Sequence, residues 1–357
     1  MKELQYQYAL LKKENLEGFV NRLSGMRKVM APVAKGYNNF AFEEVHSGKG
    51  ITLNYVPTIL PPKKYFMPQH ETLLRYQIGK GIQVETVMDS EPMVLFGIHT
   101  CDLAGIQCLN AVFSERPKDY NYLTRKPDIL IIGLECNNYC DEHASCGLVN
   151  ANLPNGGYDL FFTDLGDYFI VHVNTQAGEE IVAATKSFEP SEKANLYELM
   201  ELRESKRKIF KNEVPLAPRH IPELFEGAFE SKVWAEVGER CLACGNCTNV
   251  CPTCYCFDIR EQVSLDAKSG NRYRMWYSCQ LEPFAKVAGG VNFRQTRAAR
   301  QRHRYYRKFK YPVLKFSRFF CTGCGRCSRT CMADIRLKDT LNALIKEKTT
   351  KLWRDWE

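Results

Sequence analysis

The stretch CLACGNCTNVCPTCYC, residues Cys241–Cys256, places six cysteines within sixteen residues. A related stretch, CTGCGRCSRTC, follows at Cys321–Cys331. Both contain the spacing C-x2-C-x2-C-x3-C, which is typical of proteins that hold iron–sulfur clusters. The two motifs therefore predict a region of the chain that is organised around two metal clusters.

The spacing also predicts how the ligands are shared. In proteins with two such motifs, the fourth cysteine of each motif binds the cluster of the other motif. We therefore expect two [4Fe–4S] clusters with exchanged ligands. The first is assigned to Cys241, Cys244, Cys247 and Cys331, and the second to Cys321, Cys324, Cys327 and Cys251. Structural zinc is the alternative, because cysteine pairs of this spacing also bind zinc, but it leaves the third and fourth cysteines of each motif without a use.

Composition and the N-terminal sequence bear on how the 16 cysteines are used. The chain has 357 residues, of which 45% are hydrophobic and 25% charged, as in an ordinary globular protein. Its apolar runs are too short to cross a bilayer, and the start, MKELQYQYALLKKENLEGF, lacks the apolar segment of a secretory signal. We expect a cytoplasmic protein. Because the cytosol keeps thiols reduced, metal ligation is favoured over disulfides.

The hydrophobic pattern predicts two domains of different class. Met93–His99, Asp128–Leu134 and Tyr168–Val173 have the β-branched and aromatic composition of strands, whereas Thr100–Phe113 and Asn195–Phe210 have helical spacing. The prediction is an α/β domain over residues 1–215, a proline-containing linker over 216–223, and an all-α, helical ferredoxin-like dicluster domain over 224–357. Cys251 and Cys321 are 70 positions apart, which is long for a compact bacterial ferredoxin and favours the helical domain.

Four cysteines in the first domain predict a further site. Cys101 and Cys136 each follow an apolar strand, and Cys140 and Cys146 lie in the next loop. If the two strands are neighbours, all four thiols meet at the sheet edge where α/β proteins bind ligands. A third [4Fe–4S] cluster is the favoured interpretation; zinc and buried cysteines without metal are the alternatives. The side chains that could support this site or replace a ligand are His99, His143 and Asp102.

The remaining cysteines have less defined roles. Cys254, Cys256 and Cys279 form a group that is one ligand short of a cubane unless Asp258 or another residue joins it. Packing beside the clusters, or hydrogen bonding to them, is the favoured interpretation. Cys108 lies at helical spacing between apolar residues and is expected in the core.

Positive charge is concentrated in one segment. RQTRAARQRHRYYRKFKYPVLKFSR, residues Arg294–Arg318, contains ten of the Lys and Arg side chains and no acid, in a chain of net charge +8. Clusters ligated by four thiolates are anionic, so this segment could compensate their charge or bind an acidic partner. A solvated helix and a nucleic-acid-binding segment are the alternatives.

The sequence as a whole resembles a known family. CLACGNCTNVCPTCYC, WYSCQ (276–280), VAGGVNFR (287–294) and CTGCGRC are similar to segments of the β subunit of cytosolic sulfhydrogenases and of the related iron–sulfur subunit of anaerobic sulfite reductase. ILPPKKYF (59–66), LFGIHTCDLAGIQCL (95–109) and GYDLFFTD (157–164) extend the similarity to the N-terminal half. The resemblance implies an electron-transfer subunit between a flavin subunit that uses NAD(P)H and a catalytic subunit, in a hydrogenase, a sulfite reductase or a heterodisulfide-reductase-like complex of anaerobic metabolism.

Standard nucleotide-binding motifs are absent from the sequence. It contains no G-x-G-x-x-G after a predicted strand and no Walker A motif, so no FAD or NAD site of its own is expected. We expect no catalytic residue and no substrate turnover by the chain alone. Two other functions are considered: a catalytic reductase subunit that binds a sulfur substrate at an incompletely ligated cluster near Cys254, Cys256 and Cys279, and a cluster-containing nucleic-acid-binding protein.

Overall fold

The computed structural model describes residues 7–153, 156–211 and 213–354. Residues 1–6, which belong to the predicted domain 1–215 and to the N-terminal stretch examined for a secretory signal, lie outside the described residues. Residues 355–357 of the predicted domain 224–357 also lie outside them.

The N-terminal region is built on an eight-stranded mixed sheet with the strand order β10-β1-β9-β8-β7-β6-β2-β3. Its strands are β1 (Tyr8–Lys12), β2 (Lys28–Gly36), β3 (Asn39–Val45), β6 (Met93–His99), β7 (Ile129–Leu134), β8 (Leu160–Asp164), β9 (Tyr168–Val173) and β10 (Glu189–Pro190). The four central strands, from β2 through β6 and β7 to β8, are parallel, and the outer pairs are antiparallel. β6 and β7 are completely buried, which explains why they read as continuous apolar runs.

Helices cover both faces of this sheet. They are α1 (Leu16–Met26), α2 (Lys63–Phe66), α3 (Thr100–Phe113), α4 (Tyr120–Arg125), α5 (Gln176–Thr185) and α6 (Lys193–Ile209). Phe19 of α1 and Ile181 of α5 pack on one face, and Leu103 and Leu109 of α3 pack on the other. The predicted strand–helix unit of β6 and α3 is confirmed, and it places the start of α3 at the carboxyl edge of the sheet.

The expectation of an all-α dicluster region is wrong. A second sheet has the order β11-β12-β4-β5, and its strands are β4 (His70–Ile78), β5 (Ile82–Thr86), β11 (Phe257–Val263) and β12 (Ser269–Trp276). The strands β11 and β12 lie between the two cysteine motifs, and β12 pairs with β4 of the N-terminal region. The β11 strand is mostly solvent-exposed and rich in charge, so it lacks the apolar run that marks a buried strand.

The rest of the C-terminal region is helical. Its helices are α7 (Ile221–Leu224), α8 (Val233–Arg240), α9 (Asn246–Asn249), α10 (Arg297–Phe309), α11 (Tyr311–Phe316), α12 (Arg326–Arg329) and α13 (Leu337–Arg354). They enclose an apolar core that includes Trp234, Tyr305 and Leu341. This core supports the two cysteine loops, which precede α9 and α12.

The two regions are in close contact. The guanidinium of Arg326 on α12 donates two hydrogen bonds to the Asp102 carboxylate on α3, at 2.6 and 2.7 Å, and a third at 2.5 Å to the carbonyl of Thr58. A Cβ added to Gly105 of α3 would lie 2.7 Å from the Cβ of Pro252, which directly follows Cys251. The dicluster region is therefore packed directly on the α/β region.

Candidate iron–sulfur sites

The first cavity is formed by cysteines from both motifs. After α8 ends, the chain turns through Ala243 and Gly245, both at positive φ, and enters α9. The residues predicted to bind the first cluster, Cys241, Cys244, Cys247 and Cys331, all line this cavity, which encloses about 460 Å³ of empty space. The Cys241 sulfur accepts hydrogen bonds from Gln301 Nε2 at 2.9 Å and from the backbone N–H of Ala243 at 3.3 Å.

The second cavity repeats this arrangement. The predicted ligands Cys321, Cys324, Cys327 and Cys251 all line it, around about 420 Å³ of empty space. The backbone N–H of Gly323 donates to Cys321 Sγ at 3.4 Å. Gly323 has a φ of +62°, and a Cβ there would lie 2.3 Å from the carbonyl oxygen of Ser145, so only glycine fits this close approach.

The two cavities suit soft metal clusters. Five thiols line the first cavity and four line the second, with Cys327 common to both; no carboxylate lines either, and backbone and side-chain N–H groups point at the sulfurs. Burial raises the pKa of Cys247 to about 12 and also raises the pKa of Cys321. Because a metal binds thiolate, ligation would release these protons on loading. The structure brings the predicted sets together across the motifs; their ligation stays a prediction.

The predicted basic segment folds mainly as α10 and α11, and its most buried cations face the cysteines. Arg304 lines both cavities, and its Nε has no hydrogen-bond partner among the described residues. Lys308, one turn later, donates to Cys251 Sγ at 3.3 Å and to Thr253 Oγ1 at 2.6 Å. The sequence predicted charge compensation or partner docking for this segment but did not single out these two residues. The sequence did contain a signal for these positions. Gln301, Arg304 and Lys308 are spaced by three and then four residues, and residues at this spacing share one face of a helix.

The N-terminal cysteines meet at the carboxyl edge of the large sheet, as the parallel neighbours β6 and β7 require. His99, Cys136 and Cys140 have their ligand atoms within 4.8 Å of one another and line an open cavity with about 1370 Å³ of empty space. The His99 ring stacks on Tyr55 at a centroid distance of 3.9 Å. Hydrogen bonding from the Cys140 thiol lowers the pKa of Cys136 despite burial.

The other two predicted ligands of this site lie beside the triad rather than in the open cavity. Cys101 and Cys146 are buried and are not among the residues that line it. Both interact electrostatically with Cys136 and with Cys324 of the second motif. The loop that carries Cys146 contacts the second motif directly, because Ser145 N–H donates to the Gly323 carbonyl at 2.7 Å. Of the groups considered as supporting residues, Asp102 is paired with Arg326, and His143 lines the second cavity.

The last cysteines occupy two different environments. Cys254, Cys256 and Cys279 line a further enclosed cavity next to α10. Asp258, the acid considered as their fourth ligand, is not among its lining residues and pairs with Arg260. Cys108 is buried on α3, and its thiol contacts the Phe319 carbonyl at 3.5 Å.

Comparisons with known proteins agree with this arrangement. The family described as "4Fe-4S dicluster domain" matches residues 240–335, which contain both motifs. The chain is 36% identical over 330 residues to "Sulfhydrogenase 2 subunit beta" of Pyrococcus furiosus, covering 92% of this chain and 95% of that protein. No solved structure matches the chain significantly. Among the residues that the structure describes, no helix is long and apolar enough to span a membrane.

Proposed function

Since the chain belongs to the family of sulfhydrogenase beta subunits, and is thereby an iron–sulfur electron-transfer subunit with two [4Fe–4S] clusters, we propose that it passes single electrons between two other subunits. One is a flavin subunit that oxidises NAD(P)H, and the other is a terminal catalytic subunit of a hydrogenase, a sulfite reductase or a heterodisulfide-reductase-like complex. We place the assembly in the cytoplasm, where thiols stay reduced. The observation that carries the proposal is the pair of adjacent cavities, each lined by at least four thiols drawn from both motifs.

The residues around the cavities serve this role by controlling charge. When bound, each cluster takes up or releases one electron at a time. Gln301 and the backbone N–H groups donate hydrogen bonds to ligand sulfurs and so stabilise added negative charge. Arg304 lines both cavities and supplies a buried positive charge to each. These groups would therefore favour the reduced state of a bound cluster.

We extend the proposal to the N-terminal site. Cys101, Cys136, Cys140 and Cys146 would hold a third [4Fe–4S] cluster, next to the second cavity. The support is the contact between the Cys146 loop and Gly323, together with the nearness of Cys136 and Cys140. Cys136→Ser/Cys140→Ser should remove about four iron atoms per chain. A loss of about one zinc atom instead would show that this site binds zinc, with His99 as a further ligand, and not a cluster.

The buried face of α10 does not favour nucleic-acid binding. Arg300, Arg304 and Lys308 are each no more than 5% exposed, so these cations are not available to a phosphate backbone. In the alternative catalytic function, a sulfur substrate would bind at the enclosed cavity lined by Cys254, Cys256 and Cys279. The partner-subunit experiment separates this alternative from the relay.

The test uses the purified chain and its partner subunits under strictly anaerobic conditions. With the flavin subunit present, NAD(P)H should bleach the iron–sulfur absorbance of this chain; without it, bleaching should be absent because hydride chemistry requires the flavin. Added sulfite or thiol should leave the EPR spectrum of the isolated chain unchanged. Bleaching by NAD(P)H alone, or none with the flavin subunit, would contradict the proposal.

A further inference from the structure

A third enclosed cavity lies beside the dicluster pair and belongs to neither predicted cluster. It is lined by Cys254, Cys256 and Cys279. It encloses about 340 Å³ of empty space, against about 460 and 420 Å³ in the two dicluster cavities. A space of similar size, again lined by several thiols, points to the same class of occupant.

The β11–β12 hairpin brings these thiols together. Cys256 lies just before β11 and Cys279 lies three residues after β12, and the pairing of Phe257 with Trp276 aligns the two ends. The Tyr277 N–H donates to the Cys256 carbonyl at 3.0 Å, and the Cys256 thiol lowers the pKa of Cys279. The thiols are thus held by a regular structural element.

A histidine completes the set of ligand types. His303 of α10 lines the cavity, and its imidazole forms no hydrogen bond with any other residue that the structure describes. Three thiolates and one imidazole are a donor set that binds both iron and zinc, and histidine replaces cysteine on iron in some clusters. His303 is therefore the residue of the lining that offers a fourth ligand atom.

The side chains that line this cavity carry net positive charge, which favours an anionic occupant. Arg304, Arg307 and Lys308 line the cavity, whereas no carboxylate does. Cysteines and tyrosines, and no carboxylate, are the main groups that raise the pKa values of these cations. Lys308 Nζ lies 3.3 Å from both Cys254 Sγ and Cys251 Sγ, and Gln280 Nε2 donates to Cys279 Sγ at 3.5 Å. Buried cations need compensating charge, and thiolates around a cluster provide it.

We propose that Cys254, Cys256, Cys279 and His303 bind a further iron–sulfur cluster. This site adjoins the second dicluster cavity, because Lys308 contacts a cysteine of each. A cluster at this site would add a branch to the electron path beside the second dicluster cavity. The proposal concerns the cofactor content of this chain and stands whether or not the proposed partner subunits are correct.

The test compares iron, zinc and acid-labile sulfide in anaerobically purified chains. Cys256→Ser/Cys279→Ser should contain about four fewer iron and four fewer sulfide per chain than the unaltered protein, with the dicluster EPR signals retained. Cys108→Ser, which changes a buried cysteine on α3, is the matched control and should keep the full content. Unchanged iron in the double variant, or a loss of about one zinc in place of iron, overturns the proposal.

Changes at His303 test the site without removing a cysteine. The reduced protein should show a nitrogen hyperfine coupling in its pulsed EPR spectrum, which His303→Cys should abolish while iron is retained. His303→Ala should lower the iron content or convert one cluster to a three-iron form. Spectra and iron content identical to those of the unaltered protein in both variants would exclude His303 and overturn the four-ligand site.

Discussion

The buried lysine on α10 shows how one residue can influence more than one sulfur site. Burial by itself would lower the pKa of Lys308, but the charges of Cys251 and Cys254 outweigh burial and raise it. The two sulfurs therefore favour the charged ammonium. A fixed positive charge beside a cluster ligand stabilises the reduced state more than the oxidised state.

Lys308→Met should lower the reduction potential of the second cluster. The expected change is on the order of 100 mV, because a unit charge several ångströms away contributes roughly 2–4 kcal/mol at an effective dielectric constant near 20. EPR-monitored redox titration measures it. Arg302→Met is the control: it removes the same charge from the same helix, where Arg302 packs over the Phe229 ring. Equal shifts in both variants would contradict a specific role for Lys308.

A buried carboxylate holds α6 against the sheet. The Glu135 carboxylate, fully buried after β7, accepts hydrogen bonds from Lys206 Nζ at 2.5 Å, Arg203 at 2.9 Å and Thr163 at 2.7 Å. Burial alone would raise the pKa of Glu135, but Arg203 and Lys206 outweigh burial and lower it below its usual 4.5. The stabilisation is thus present above the unfolded-state pKa and is lost only as the pH falls through the lower folded-state pKa.

Glu135→Gln should reduce the free energy of unfolding by roughly 3–5 kcal/mol, because it leaves two cations without a counter-charge. Denaturant unfolding under anaerobic conditions should give the same difference across the range of about pH 5.5 to 7.5, where Glu135 is ionised in both states. A difference that falls steadily as the pH rises over this range would show that the folded-state pKa is raised rather than depressed.

At the level of elements, substitutions in the two cysteine loops test whether each cluster takes its fourth ligand from the other motif. Cys331→Ala should alter the same EPR component as Cys241→Ala, and Cys251→Ala the same component as Cys321→Ala. Each change should labilise one cluster, up to about four iron atoms per chain. If Cys331→Ala instead affected the component lost in Cys321→Ala, each motif would bind its own cluster.

Some elements and contacts could be predicted from sequence and others could not. β6, β7 and α3 are rich in buried apolar residues, so their positions followed from the pattern; the meeting of Cys101 with Cys136 depended on β6 and β7 being neighbours, which the structure shows. The β11–β12 hairpin is exposed and stabilised by pairing with β4, a partner far away in sequence. Its alternation over Phe257–Val263 and the turn before Ser269 were weak local signals for it.

Across the whole molecule, a buried ion pair joins the two regions. The Arg326 guanidinium and the Asp102 carboxylate are 0% and 1% exposed, and they connect the second cluster loop to α3. A second connection, Glu115 with Lys315, is exposed. These two pairs differ in burial while linking the same two parts of the chain.

Asp102→Asn should lower the free energy of unfolding by roughly 3–5 kcal/mol, since Arg326 stays buried without its counter-charge. Glu115→Gln should cost less than about 1 kcal/mol, as is usual for exposed ion pairs. Thermal unfolding of the anaerobic proteins measures both. Similar small effects would show that the two regions are held together by other contacts.

The sequence indicated which cysteines could share a cluster, but not what surrounds them. Motif spacing was enough to select the eight residues that line the two dicluster cavities. The positions of Arg304 and His303 depend on how α10 packs against both motifs, which no local spacing encodes. Long-range packing therefore determines the environment of the thiols, while local spacing determines the thiols themselves.

The second sheet has a consequence for biosynthesis. Glu71 on β4 and Arg274 on β12 form a buried pair although they are 203 positions apart. At about 5–20 residues per second, a ribosome needs roughly 10–40 s to make the missing strand after β4 has emerged. During that interval β4 presents an unpaired edge that invites aggregation. Slow translation or early chain release should therefore give insoluble N-terminal fragments, and chaperones that shield nascent strands should improve the yield of the full-length protein.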